Sequence, residues 1–435
     1  MSMPAVAERQ SAYAAAFDAF RREPAFGPEW LRLAREEALQ RFLGRGFPTT
    51  RDEEWRFTNV APIAETSFGR AASAAPDRRA IEPFLFSGMG AQVVLVNGRV
   101  STALSSLDAL PKGVRIEQLA DVAPDVRLLL TMDGQPDAFG DLNRAFLEDA
   151  VAISVAPGVV VDAPVHVAAI AVADDRAQMI FPRVIVRVGE GAQATLVESY
   201  GSLGDSETLT SPVVSVVVGP NAVLHHVKLQ RESAKAFHVA RLDARLSRAG
   251  TFHTTAITLG GRIVRNDITA SLEGEGGECT LNGLYVADGE TLTDTHTTID
   301  HAKAHCPSHE VYKGILGGRA KAIFNGKIIV RQDAQKTNAK QTNKALLLSD
   351  DAQINTKPQL EIFADDVKCT HGAAIGQLDE DAMFYMRARG ISEADARNLM
   401  IHAFAAEVLD GVKVDVVRDR ALRLMEEKLK LVPSA

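Results

Sequence analysis

Residues 186–196 read VRVGEGAQATL, and the phrase returns three times in altered form: VVVGPNAVLHH at 216–226, ARLSRAGTFHT at 244–254 and ASLEGEGGECT at 270–280. Aligned on their apolar positions, these segments place Val188, Val218, Leu246 and Leu272 about 26 to 30 residues apart, a period within the range of repeat architectures. Related units occur earlier, VAISVAPGVVV at 151–161, and later, KGILGGRAKAIF at 313–324 and ALLLSDDAQIN at 345–355. Each is a β-rich run, a tight turn and a second β-rich run, with no helical spacing between. A unit of that kind cannot bury its inner face alone, so it stacks on its neighbours. The expectation is a mainly β core built as a β-helix or similar solenoid, with a two-sheet sandwich as the alternative.

Working outward, the flanks change character. The first part of the chain, residues 1–150, is mostly helical, with Phe17, Phe20, Leu31, Leu39 and Phe42 set among alanines and charges, and a Gly27-Pro28 turn dividing two helices. GFPTTRDEEWRFTNV at 46–60 is a loop whose Trp55 is expected to anchor those helices, and QVVLVNGRV at 92–100 is a short strand. The core is expected over 151–375 and a C-terminal helical domain over 376–435. There Ser392 suits a helix N-cap with Asp395 in the first turn, and Leu399, Met400, Ala403, Phe404 and Val408 form an apolar stripe. Such a stripe serves either its own domain or another chain.

Composition excludes several classes. A chain of 435 residues with a net charge of -8 has enough length for two or three domains, and no Lys/Arg cluster offers an electrostatic footprint for nucleic acid. No apolar run reaches the roughly 18 residues of a membrane span, and the N-terminal stretch lacks the features of a secretory or transit peptide. The three cysteines, Cys279, Cys306 and Cys369, are expected as reduced thiols in the cytoplasm. Phosphate-loop, nucleophile-elbow, HExxH and CxxC motifs are absent. GEGAQA at 189–194 fits a degenerate dinucleotide pattern but runs on into a strand, where a pyrophosphate site needs a helix N-terminus.

Two segments concentrate metal-binding side chains. DTHTTIDHAKAHCPSHE at 294–310 carries His296, His301, His305, Cys306 and His309, of which His301 and Cys306 are candidate ligands. Pro307 and the surrounding β-type sequence argue against the helix that would align three of those histidines. QLEIFADDVKC at 359–369 reads as a strand, so Cys369 and His371, two positions apart, share one face. Thiol and imidazole side by side suit iron or sulfur chemistry, with the histidine able to join the ligation or lower the thiol pKa; two ligands leave the site incomplete. The neighbouring Asp365 and Asp366 form no glycosidase pair, because adjacent strand residues point to opposite faces.

From Phe324 to Leu409 the motifs FNGKI, KTNAKQTN, PQLEIFADDVKCTHGA and GQLDEDAMFYMRARGI resemble the SufB/SufD family of the SUF iron–sulfur cluster assembly machinery. Cys369 to Ala373 and Gly376-Gln377-Leu378 are similar to the SufD branch rather than the SufB branch, with Ala374 standing where threonine is usual. The resemblance extends to 294–310 through His301, Cys306 and Ser308, and more weakly to 46–60. It implies a right-handed parallel β-helix between helical terminal domains. It implies a noncatalytic subunit that assembles with a SufB-like sister and a SufC-like ABC-type ATPase, which receives the C-terminal helices through the region of Arg389, Gly390, Ile391, Leu399, Met400 and Phe404. His371, with Cys369 beside it, matches the motif implicated in iron handling and nascent cluster formation at the sister interface. No tightly held cofactor is expected, only transient iron or a nascent cluster. Monomer and homodimer remain open for the isolated chain.

Overall fold

The computed structural model describes residues 3–23, 26–131 and 137–430. The repeats form a parallel β-solenoid of about eight coils, the chain alternating between two sheets. One sheet holds Val151–Val155, Arg183–Val188, Val213–Val218, Phe237–Leu246, Ile263–Leu272, Leu292–His301, Lys321–Val330 and Gln353–Ile362 in that order. The other holds Val165–Val172, Gln193–Leu203, Val223–Arg231, Thr251–Thr258, Glu278–Ala287, Pro307–Leu316, Asn338–Leu347 and Lys368–Gly376. The sandwich alternative fails because successive strands pair in parallel, each with the strand one coil away.

The four residues that align the repeats are direct neighbours. Val188 pairs with Val218, Val218 with Leu246 and Leu246 with Leu272. That column continues through His301 and Val330 to Ile362. Val188, Val218, Leu246, Leu272 and Val330 of this column belong to one continuous core between the sheets. Burying each valine or leucine contributes about 1.5–3 kcal/mol, which a single coil could not obtain without its neighbours. Aromatic rings need notches: Tyr312 covers Gly283, where a Cβ would come within 2.1 Å of the ring.

The N-terminal region closes one end of the solenoid. Ala91–Val96 is more than an isolated short strand, since it pairs in parallel with Val165–Val172 and extends the second sheet. Asn97 and Gly98, both at positive φ, then turn the chain into Arg99–Val100. Val114–Gln118 covers the edge of the first sheet by pairing antiparallel with Val151–Val155.

Helices α1 (Met3–Arg21) and α2 (Glu29–Arg45) pack with α3 (Ala138–Ala145) over the first sheet, through Phe17, Phe20, Phe42, Phe139 and Phe146. Trp55 packs against the aromatic cluster of these helices, as expected, with its ring stacked on Phe139 of α3. The Arg265 guanidinium lies 3.8 Å from the same ring and ties the loop to the solenoid as well. The interior of the first sheet's outer face supplies the cation that a sequence reading does not bring near it.

At the other end, α5 (Glu393–Leu409) and α6 (Asp415–Leu429) fold back against the second sheet, while α4 (Glu380–Arg387) lies against α5. Ser392 caps α5 by accepting from the Asp395 amide at 3.1 Å. The buried face of α5 is Ala396, Ile401, Ala405, Val408 and Leu409, so the stripe read from the sequence is rotated from the true one and only its Val408 is buried. Apolar residues are spread around this helix between Glu393, Asp395, Arg397, Asn398, His402 and Glu407, so spacing alone does not choose its face. Lys313 of the second sheet fixes the docking, donating to the Phe404 carbonyl at 2.7 Å and pairing with Glu407 at 2.5 Å. No helix among the described residues is long and apolar enough to cross a membrane.

Candidate functional site

The last coil, Gln353–Ile362 and Lys368–Gly376, has a neighbour on one side only. Both strands therefore leave a row of backbone N–H and C=O groups unpaired, the arrangement from which another chain can continue a sheet. Apolar side chains stand on this end, with Ile362, Phe363 and Ile375 41%, 63% and 49% exposed.

Cys369 and His371 lie on its second-sheet strand, and the register shows which way they face. Cys369 continues a column of Cys279, Ser308 and Ala339, and His371 continues Leu281, Glu310 and Gln341. All six of those residues are buried, so both columns are interior ones. Cys369 and His371 are core positions brought to light because no further coil covers them. Cys369 is half-buried against the core and His371 is exposed. Burial raises the Cys369 thiol pKa, only partly countered by the Ala339 backbone. Their spacing invited a lowering, but the thiol's pKa is raised, and in the uncovered chain it is held protonated at neutral pH. Nearby Asp366 is engaged by Lys336 across an exposed turn.

The other candidate ligands lie deeper. His301 occupies a core column, with its Nε2 3.0 Å from the Ser308 hydroxyl, and burial pulls its pKa down to about 4. Cys306 is buried and its thiol donates to the Gly274 and Ala304 carbonyls, each at 3.4 Å. Residues 292–316 form strand, turn and strand, so the spacing of His301, His305 and His309 has no helical meaning. His296 faces outward into a cleft of about 300 Å³ beneath the Glu54 loop, between Glu54 at 3.2 Å and Asp294 at 3.1 Å. Burial opposes its charge, but the carboxylates prevail and raise its pKa to about 9. Among the described residues no group of three His, Cys, Asp or Glu side chains is arranged to hold a metal ion.

The C-terminal candidates divide in two. Helix α4 buries none of its residues, leaving Phe384 and Tyr385 73% and 58% exposed. Arg389 lies 3.5 Å over the Tyr385 ring, and Gly390 at φ +87° makes the turn to Ile391 and α5. Leu399 is exposed on the same side, whereas Met400 and Phe404 are half-buried. Sequence reasoning missed the buried polar groups inside the solenoid. Glu198, His226, Lys228, Glu232 and His238 interlock near the middle, and Glu310 with Gln341 lies near the open end. Their one signal is a polar residue at a repeat position where another coil carries an apolar one, as Leu196 does beside His226 and Leu281 beside Glu310.

Comparison with known proteins bears on this geometry. The family model for the SufBD core domain of SUF-system FeS cluster assembly matches residues 170–404, and that for the SufBD N-terminal region matches 10–167. An iron-sulfur cluster assembly SufBD family protein of Synechocystis is 33% identical over 388 residues, covering 86% of this chain and 85% of the relative. The Escherichia coli iron-sulfur cluster assembly protein SufD is 31% identical over 398 residues, covering 91% and 92%. The SufD of Bacillus subtilis is 26% identical over 291 residues, covering 66% of each.

Proposed function

The chain belongs to the SufB/SufD family of SUF-system iron–sulfur cluster assembly proteins, and from that premise we propose that it is a noncatalytic, SufD-like scaffold subunit of a cytoplasmic SufBCD-type complex. The observation that carries the reading is the bare end of the solenoid, where two strands unpaired along their outer edges flank inward columns ending in Cys369 and His371. A SufB-like sister, built on the same kind of solenoid, continues the sheets across this end. Cys369 and His371 then stand at the seam and supply two of the ligands for iron or a nascent cluster, which is cargo rather than a resident cofactor. The sister supplies the remainder. Covering the end also changes the thiol's surroundings, and a bound cation there favours the thiolate that the uncovered chain disfavours.

The exposed face of α4 with Arg389, Gly390, Ile391 and Leu399 receives a SufC-like ABC-type ATPase; Met400 and Phe404 support that face from behind. ATP hydrolysis belongs to that partner, and movement of these helices reaches the second sheet through Lys313. Without the sister, the same bare end is available to a second copy of the chain.

The test is His371→Ala in the complex assembled anaerobically with both partners. The expected result is an intact complex by native mass spectrometry with reduced iron and sulfide content. Cys369→Ala is expected to act in the same direction, less strongly. Wild-type cluster content in His371→Ala would sink this reading.

A further inference from the structure

Directly inward from His371, in register on the adjacent strand, is Gln341, and inward from that is Glu310. Both are 1% exposed. Gln341 donates from Nε2 to Glu310 Oε2 at 2.6 Å, and this contact uses the amide in one direction only. Gln341 Oε1 is buried without a partner, as is Glu310 Oε1. An unsatisfied buried acceptor costs about 1–3 kcal/mol, so a donor that reaches Gln341 Oε1 from the uncovered side is favoured. With its N–H given to Glu310, the amide stands with its nitrogen inward and its oxygen free for another donor.

We propose that Glu310 and Gln341 are positioning residues for His371: the Glu310 carboxylate orients the Gln341 amide, whose free Oε1 accepts the N–H of one imidazole nitrogen. This rests on the role of His371 proposed above. Adjacent strands are about 4.8 Å apart, within reach of a long amide side chain and a ring on the same face. In the uncovered chain the imidazole is exposed and the contact is open; covering the end confines the ring over the amide and closes it. The second ring nitrogen then keeps its lone pair and points out of the column toward the seam. A ligating histidine that donates its other N–H to a fixed acceptor has its ring orientation and tautomer set, which is the service the pair performs.

The experiment uses the anaerobic complex with both partners, with only this chain carrying ¹⁵N-histidine. Gln341→Met keeps the volume of the side chain and removes the acceptor, and Glu310→Gln keeps the shape and removes the charge. Ser308→Ala is the control, since it deletes a buried hydroxyl from the neighbouring column. Iron and sulfide content are measured together with the histidine ¹⁵N coupling of the reduced cluster by pulsed EPR. Gln341→Met is expected to melt like the wild type, to lose cluster content several-fold and to lose or shift the ¹⁵N coupling. Glu310→Gln should shift the coupling in the same direction with a smaller loss, and Ser308→Ala should leave it unchanged. Wild-type coupling in Gln341→Met overturns the inference, as does an equal change in Ser308→Ala, which would mark a general loosening of the core. Should Gln341→Met fail to fold, Glu310→Gln decides by the same coupling. His371→Ala separates the two levels. If it retains full cluster content the proposed function fails; if it loses content while Gln341→Met does not, only the positioning role falls.

Discussion

The two ends of the solenoid are built from the same coil and treated in opposite ways. At the N-terminal end, Ala91–Val96 and Val114–Gln118 cover both sheet edges, and Val93, Val94 and Leu95 are almost wholly buried. At the C-terminal end neither edge is covered, and residues equivalent to core positions in earlier coils face outward. The difference teaches that exposure of Cys369 and His371 is a property of where the stack stops, not of the strand that carries them. A further coil would turn both into ordinary interior residues.

The contrast can be broken most severely by placing one charge at each end. Leu95→Asp buries an unpaired carboxylate in the capped end and is expected to cost about 4 kcal/mol or more, enough to deplete folded protein in denaturant titrations. Ile375→Asp at the bare end should change the stability of the isolated chain by no more than about 0.5 kcal/mol while abolishing co-purification of a sister subunit. Equal destabilisation by both would show that the bare end is as firmly packed as the capped one.

The next effect comes from Glu310, whose carboxyl burial raises to about 7. Between its unfolded value near 4.5 and pH 7 the folded chain retains a proton that the unfolded chain releases. This group therefore favours folding less as pH rises through that window, with no further change above it. The total is on the order of 3 kcal/mol. Glu310→Gln should flatten that part of the stability profile and be the more stable protein at pH 8, measured by urea titration from pH 4.5 to 8.

Between the ends, Gly283→Ala drives a methyl into the Tyr312 ring and should cost about 1–3 kcal/mol in the same assay. A small change in folding is also expected from Ala373→Pro. The Lys368 amide donates inward to Thr337, so by strand alternation the Ala373 N–H faces the empty edge, where proline is tolerated. Stability should fall by under about 1 kcal/mol, yet pairing of that edge with any partner should be lost in native mass spectrometry.

Much of the fold could be read in advance, because the four aligned segments share an apolar pattern that must pair in register to be buried. Val188, Val218, Leu246 and Leu272 align in sequence and stack in space for one reason. Other features depended on contacts between distant residues. Spacing says nothing of Arg265 over Trp55, and a helix such as α5, whose apolar residues are spread around it, gives no unique buried face. The placement of Cys369 and His371 on one strand face was legible, but their standing at the end of interior columns was not, since that depends on where the coils cease. The same register makes Gln341 the inward neighbour of His371 although 29 residues lie between them in the chain.

The stack also sets a gradient of local opening. Each coil is held chiefly by its two neighbours, and the last coil has one, so its amides should exchange with solvent first and the middle coils last. Fraying of the final strand would release Cys369 and His371 together without disturbing the core behind them. The residues proposed to hold iron thus occupy the part of the molecule that opens most readily, and a partner that extends the sheet would slow their exchange as it arrives, joining recognition to local folding in one step.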